Sequence, residues 1–255
     1  MTNRILLILS AILSLFTAVG QSNISAGRLN EELLKIRAAY NTGDMLKMNI
    51  HSYLANADKP GSIDSSVSTY YLKDDIVRGN LSDGSVYLTN QRYTVYALPA
   101  YLEMVIDTVN EADLKIKDPR LNPLQLIDTA ITDSLLSYRL SDYDLTHKQL
   151  KMYPKGGSEI SEASVIYDYQ TGRVRISEYI VPYMESVLTA DSSGIDYVEK
   201  KYRVTMVFDT QRVTGDRSEW FDEKAFFTIQ QGRYIPAGAY AGYKVKVLFK
   251  DDEEN

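Results

Sequence analysis

The chain reads as mainly β: an antiparallel sheet with one or two helices laid on it. Several segments alternate apolar and polar residues with the period of two that a half-buried strand imposes. Short turns rich in Gly, Pro, Asp and Asn separate them, and two other segments repeat apolar residues at helical spacing. The aromatic balance agrees, with 20 Tyr against 6 Phe and one Trp. Tyrosine suits a strand because its ring packs on a sheet face while its hydroxyl reaches water or a partner. The same excess would also furnish a surface for carbohydrate or protein.

Residues 1–20 stand apart from this pattern. Arg4 supplies a positive charge, residues 5–19 (ILLILSAILSLFTAV) are almost wholly apolar, and Ala18, Val19 and Gly20 place small residues before Gln21. That is the layout of a secretory signal peptide, which predicts an exported, periplasmic or secreted protein. The 15-residue apolar core would span roughly 22 Å as a helix, short of the roughly 30 Å hydrocarbon layer, so a cleaved segment fits better than a retained anchor. Ser10, Ser14 and Thr17 also interrupt it. A bacterial lipoprotein carries its lipid on a cysteine at the cleavage point, and the chain has no cysteine. Lipid anchoring by that route, disulfides, thiolate zinc sites and cysteine nucleophiles are all excluded.

The expected domain organisation is a signal peptide over 1–20, a single β-rich domain over 21–250 and an acidic tail over 251–255. Without residues 1–20 the chain has 27 basic against 34 acidic residues, a net charge of −7. Phosphate neutralisation needs clustered Lys and Arg, so nucleic acid is not an expected partner.

In chain order, Leu29, Leu33, Ile36 and Tyr40 form one stripe of an amphipathic helix that stops near Asn41 and Gly43. From Leu46 to Leu54 the even positions are mostly apolar and the odd ones polar, which is a strand. Further strands are expected over 66–73, 76–80, 85–90 and 92–98, with turns at Lys59-Pro60-Gly61 and Ser82-Asp83-Gly84. Asn122-Pro123-Leu124-Gln125 then opens a second helix: Asn caps, Pro fits the first helical position and Gln stands where a capping-box side chain reaches back. Its stripe is Leu124, Ile127, Ala130, Ile131 and Leu135, continuing toward Leu136 and Tyr138. Strands resume after Asp142. A hairpin turns at Thr171-Gly172 between 163–169 and 174–180, followed by a loop over 185–196 and strands over 202–208, 225–229 and 243–249.

Catalytic signatures are absent: there is no HExxH, GxSxG, GxGxxG or Walker-type GK[ST]. The two histidines, His51 and His147, sit in polar positions and read as surface residues. Asp74 and Asp75 form one acidic group. Asp216, Glu219, Asp222 and Glu223 form another, beside Trp220 and Phe221, which resembles the carboxylates and aromatic platform of a glycan hydrolase. Acidic turn residues around a locally packed aromatic give the same pattern. Asp191 to Asp196 lacks the alternating ligands of a calcium loop. Neither a cofactor nor a metal is expected.

The order of signal segment, amphipathic helix over 29–40, strand meander over 46–98, inserted helix and closing strands up to Phe249 resembles the periplasmic lipoprotein carrier and receptor proteins. That resemblance implies a strongly curved antiparallel sheet or incomplete β-barrel whose apolar concave face is covered by one or two helices and receives acyl chains. The longer second half and the acidic 216–223 segment depart from that family. An acyl chain needs no polar motif, since each buried methylene contributes about 0.8 kcal/mol. The expected function is an exported binding protein that holds an acyl chain or a hydrophobic partner segment, with no catalytic residue. The expected lining is Met48, Ile50, Val86, Leu88, Val95, Ile127, Ile131, Val204 and Met206. The expected partners are a lipid or lipoprotein, or an envelope protein. The alternatives are an envelope-assembly component with a filled core and, third, a glycan hydrolase.

The signal reading predicts that the exported protein begins at Gln21. N-terminal sequencing of the extracytoplasmic fraction checks this, and a chain that retains Met1 would refute it.

Overall fold

Ser25 caps the first helix by accepting a 3.3 Å hydrogen bond from the Arg28 amide, and Leu29, Leu33 and Ile36 fall on one buried stripe of that helix, α1 (Ala26–Ala38). The computed structural model describes residues 22–41, 43–57, 63–73, 76–90, 92–108, 135–155, 160–188, 195–215 and 217–248. Around α1 the chain forms β1 (Ser22–Asn23), β2 (Leu46–Asn56), β3 (Ile63–Lys73), β4 (Ile76–Asn80), β5 (Val86–Thr89), β6 (Tyr93–Leu98) and β7 (Glu103–Thr108). Then come β8 (Leu135–Asp142), β9 (His147–Pro154), β10 (Glu162–Asp168), β11 (Val174–Leu188) and β12 (Ile195–Arg212). The last are β13 (Phe227–Gln230), β14 (Arg233–Pro236) and β15 (Lys244–Leu248).

Two meanders make the 13-stranded sheet, β2 to β7 and β8 to β12, and they join where β12 pairs antiparallel with β2. β1 lies on the free edge of β8, and β15 lies parallel to β7 at the other edge. The sheet is curved, antiparallel but for β15, and not closed into a barrel. β13 and β14 form a separate hairpin.

The curvature follows from what one apolar cluster contains. It joins the α1 stripe and Tyr40 to residues of eight consecutive strands, from Leu150 on β9 to Tyr87 on β5. Laid flat, eight strands extend about 34 Å, whereas a helix with its side chains is about 10 Å across, so the sheet must wrap around the helix to share one core. Gly79 leaves room for the ring of its cross-strand partner Tyr70, from which a Cβ would lie only 2.9 Å.

A second cluster occupies the opposite face of β3 to β7. On β5, Tyr87 joins the α1 core while Leu88 joins the second cluster; on β6, Tyr96 packs on the first while Val95 and Ala97 belong to the second. Phe221, Phe226 and Phe227 cover this back face, together with Met104 and Ile106 of β7. Tyr93, Phe227 and Tyr234 pack edge-on at 5.2–6.1 Å, and Phe226 stacks on Tyr240 at 5.1 Å.

α1 is held by more than its stripe. Glu32 is 3% exposed, yet its carboxylate accepts from the buried Tyr167 hydroxyl at 2.6 Å and pairs with Arg28, while Lys148 stands 3.7 Å away. Burial, then the adjacent Glu32, pushes the Tyr167 hydroxyl pKa far up, so it stays a donor. The Val174 amide donates to Tyr40 Oη at 3.0 Å, and Lys35 Nζ donates to the Tyr169 carbonyl. The helix also presses on the β10–β11 turn, where Gly172 has φ +77° and a Cβ would fall 2.5 Å from the Lys35 carbonyl oxygen.

Four expectations change. Residues 135–138 belong to β8 and not to a helix, so strands begin before Asp142, and the helix opened by Asn122 lies outside the described residues. Of the loop expected over 185–196, residues 185–188 and 195–196 are strand, because β11 runs to Leu188 and β12 starts at Ile195, paired residue for residue, while 189–194 lie outside the described residues. Glu223–Ala225 is a 3-10 turn that precedes β13. β7, β9 and β14 join the expected strands. Residues 1–20 and 251–255 lie outside the described residues.

Gly172→Ala must strain both φ and the contact with Lys35, and is expected to cost about 2–4 kcal/mol. Gly232→Ala, at φ +76° with open space around it, is expected to cost only about 1–2 kcal/mol. Urea denaturation of both variants measures the difference, and equal losses would refute the close docking of α1.

Candidate functional site

The concave face is organised in rows that run across the strands. One row joins Leu54, Val204, Tyr179, Ala163, Met152 and Tyr138; the row beside it, nearer the middle of α1, holds Ser52, Met206, Ser177, Val165, Leu150 and Leu140. Burial falls away along this face. Met48 and Ile50 are 0% and 2% exposed, Met206 is buried, Val204 is half-buried, and Leu54 is 41% exposed. Val181 and Tyr202, one row further out, are half-buried beside Asn56, and Lys200 follows on the same face of β12 before the exposed Val198. An apolar strip therefore leaves the α1 core and continues into solvent on the same face.

The nominated lining residues separate into two groups. Met48, Ile50 and Met206 lie in the α1 core, with Val204 packed at its margin. Leu88 and Val95 are buried in the back-face cluster with Val86 packed on it, so they point away from the concave face. Ile127 and Ile131 lie outside the described residues.

Trp220 is a packing residue. Its ring meets Tyr71 edge-on at 4.6 Å, and the Arg217 guanidinium lies 5.4 Å from its centre. Arg78 donates to the Trp220 carbonyl at 3.0 Å, which pins this turn to β4. Neighbouring carboxylates are engaged in structure as well. Asp222 accepts from the Lys224 amide at 2.9 Å, and the buried Glu223 accepts from Asn90 Nδ2 at 2.9 Å and pairs with Arg92. Asn90 in turn takes the Arg92 and Tyr93 amides on its Oδ1, at 2.9 and 2.8 Å, and so shapes the β5–β6 turn. Glu219 is exposed, and Asp74, Asp75, Asp191 and Asp216 lie outside the described residues.

His51 is exposed on the back face, as its register implied. His147 is not a free surface histidine. Its Nδ1 stands 2.9 and 3.0 Å from the two Asp144 oxygens, and a ring nitrogen facing a carboxylate carries the proton. The Thr146 amide, then His147, hold the Asp144 carboxyl well below its usual range. Among the described residues no group of three or more His, Asp or Glu is placed to hold a metal ion, and no helix is long and apolar enough to cross a membrane.

No role in the core was expected of Glu32 or Asn90, and Gly172 was expected only as a hairpin-turn residue. Arg28 and Glu32 do show the i, i+4 spacing of a helical ion pair, and an Asn between two strands is a turn signal.

No family model matches the chain, and no curated protein is similar to it. Solved structures do resemble it. A Vibrio parahaemolyticus domain named for outer membrane lipoprotein sorting is 11% identical, covering 79% of this chain and 99% of its own, with a TM-score of 0.39. A LolA superfamily protein from Nitrosomonas europaea is 10% identical over 78% and 99%, with a TM-score of 0.37. A DUF1329 family protein from Desulfovibrio piger is 11% identical over 78% and 98%, with a TM-score of 0.41.

Because its folded pKa is lowered, Asp144 contributes stability at pH values above its unfolded pKa of about 3.9 and loses it as pH falls through the folded value. Asp144→Ala is therefore expected to lower the urea midpoint at pH 7, with the deficit shrinking below about pH 4. Midpoints at pH 7, 5 and 3 check this; a deficit constant with pH would refute it.

Proposed function

We propose that this chain is an exported, non-enzymatic carrier that holds an acyl chain or a hydrophobic segment of a partner on the concave face of its sheet, beside α1. The observation that supports this reading is the burial gradient from Ile50 through Met206 and Val204 to Leu54: one apolar strip, dry under the helix and open beyond it. A tail laid on Leu54, Val204, Val181 and Tyr202 would extend the existing core outward, at about 0.8 kcal/mol per methylene removed from water. Met48 and Met206, at the inner end, are side chains able to repack as the end of a tail arrives. The back-face carboxylates Asp222 and Glu223 are engaged as a turn cap and a buried latch, which supports a binding role over hydrolysis. A lipidated protein of the envelope is the partner class that combines an acyl chain with export.

Native mass spectrometry and solvent extraction of the mature protein are expected to find co-purified lipid. Leu54→Asp with Val204→Asp should lower the bound fraction at least about tenfold, since two charges then face the tail. Tyr53→Asp, adjacent in sequence but on the opposite face, should leave it unchanged. Lipid-free protein, or equal loss in Tyr53→Asp, would sink the carrier and favour an assembly component whose core is filled.

A further inference from the structure

The turn between β6 and β7 combines a strained backbone with two exposed apolar side chains. The 3-10 turn Pro99–Tyr101 ends on Leu102, which has φ 48° and ψ 42°, the left-handed conformation that a helix end usually gives to Gly or Asn. A leucine there costs energy, and burial does not offset it, for Leu102 is 57% exposed and Tyr101 beside it 73%. Gln231, the other non-Gly residue at positive φ among the described residues, is polar and turns the β13–β14 hairpin. The conformation of Leu102 is fixed on both sides: its amide donates to the Pro99 carbonyl at 3.2 Å, and its carbonyl accepts from the Lys244 amide at 2.8 Å. The result is a rigid tip that holds two large apolar side chains in water, and strain of this kind marks functional positions.

The segments that adjoin this tip carry balanced charge. The β4–β5 turn touches it at Pro99 and brings the exposed Asp83, β15 brings the exposed Lys244, and Lys246 pairs with Glu103 at 2.8 Å. Leu145, 97% exposed on the β8–β9 turn, stands in a different setting. Asp142 and Asp144 flank it, and Asp168 lies on the turn that bonds to Thr146 through Tyr169. The Thr146 and Thr171 amides hold the Asp144 and Asp168 carboxyls below their usual range, so those charges persist and keep their water.

We infer that the β6–β7 turn docks on a lipid bilayer, with Leu102 in the acyl boundary, Tyr101 at headgroup level and Lys244 among the headgroups. Leucine, tyrosine and lysine are the side chains that divide in this way at a membrane interface, and a bilayer receives a projecting tip without a preformed socket. Balanced charge makes the contact one of apolar burial and not of attraction to anionic lipid. β2, β4 and β6 run in one direction, so this turn lies at the end of the strands toward which the strip opens from Ile50 to Leu54. On the carrier reading a docked chain would offer that strip to the membrane, but the docking itself does not rest on it.

Full-length mature protein is mixed with neutral phosphatidylcholine vesicles and with phosphatidylglycerol vesicles, in low and high salt, and the fraction that floats with lipid is measured. Flotation on the neutral vesicles that survives high salt is expected. Leu102→Gly should weaken it at least about tenfold, because burying a leucine side chain is worth more than the roughly 1.4 kcal/mol of a factor of ten. The same variant should not lower the thermal midpoint, because glycine adopts a φ of 48° freely. Tyr101→Ser should weaken flotation as well, whereas Leu145→Ser should leave it unchanged. Co-purified lipid is a separate readout, so docking can fail while the carrier reading stands, and the reverse. No flotation would overturn the proposal and assign the tip to a socket on a protein. Binding confined to phosphatidylglycerol in low salt, an equal loss in Leu145→Ser, or a midpoint that falls in Leu102→Gly would overturn it too.

Discussion

Helix α1 can lie against the β10–β11 turn only because Gly172 has no side chain. The contact brings backbone against backbone, and it sets how deep the helix sits in the sheet. At that depth Glu32 goes out of water. A buried carboxylate is tolerated only when its lone pairs are taken, which Arg28 and the Tyr167 hydroxyl do. The polar cluster therefore adds direction where the apolar stripe of Leu29, Leu33 and Ile36 adds affinity. A stripe alone would let the helix slide along the sheet, whereas the Tyr167 hydroxyl on Glu32 and the Val174 amide on Tyr40 fix its position at the middle and just past the C-terminus. The extent of the concave face left open follows from that position.

A curved sheet has a second face, and this chain covers part of it by different means. β3 to β6 carry apolar residues on both sides, so the β5 sequence Val86-Tyr87-Leu88 feeds two cores at once. The C-terminal segment closes the back face with short turns and aromatic rings rather than a helix. Glu223 reaching Asn90 and Arg92, and Arg78 reaching the Trp220 carbonyl, tie those turns to the sheet. The mainly tyrosine composition finds part of its explanation here: Tyr71, Tyr93, Tyr234, Tyr240 and Tyr243 pack around three phenylalanines and one tryptophan at the edge of solvent.

Much of the fold was legible because alternation over a strand such as Leu46–Asn56 has only one physical reading. Three kinds of element were not. Leu135, Leu136 and Tyr138 extend a helical spacing, yet they sit in a strand, since a short apolar run fits either period until its partners are known. β9 turns only Leu150 and Met152 into the core, too few to announce a strand, and the described residues of the β11 and β12 arms, Met184, Ser186, Tyr197 and Val198, are exposed and so carry no alternation of burial. The candidate site was half legible for a related reason. Alternation places Met48 with Ile50, and Leu88 with Val86, but which side of the sheet each pair faces depends on register between strands. Where three consecutive residues are apolar, as at 86–88, parity carries no information about which of two cores a residue joins.

Whether the concave strip is a binding surface or an unfinished core turns on how burial changes along it. A filled core ends where polar side chains begin; the row outside Met206 does not end so. Leu54 faces Val204, which faces Tyr179, and each is apolar, while the odd positions between them on β2 carry His51 and Tyr53 on the other side. Selection against exposed apolar area acts on every surface, and the proposed carrier reading accounts for a strip that remains apolar and in register with a dry core. A partner that adds only backbone hydrogen bonds would dock on an edge, and the edge at β15 instead alternates Lys244 and Lys246 with valines, a pattern that discourages strand addition. On the proposed carrier reading, an occupant that lies along the face and makes no backbone bonds, as a hydrocarbon tail would, is the kind that fits.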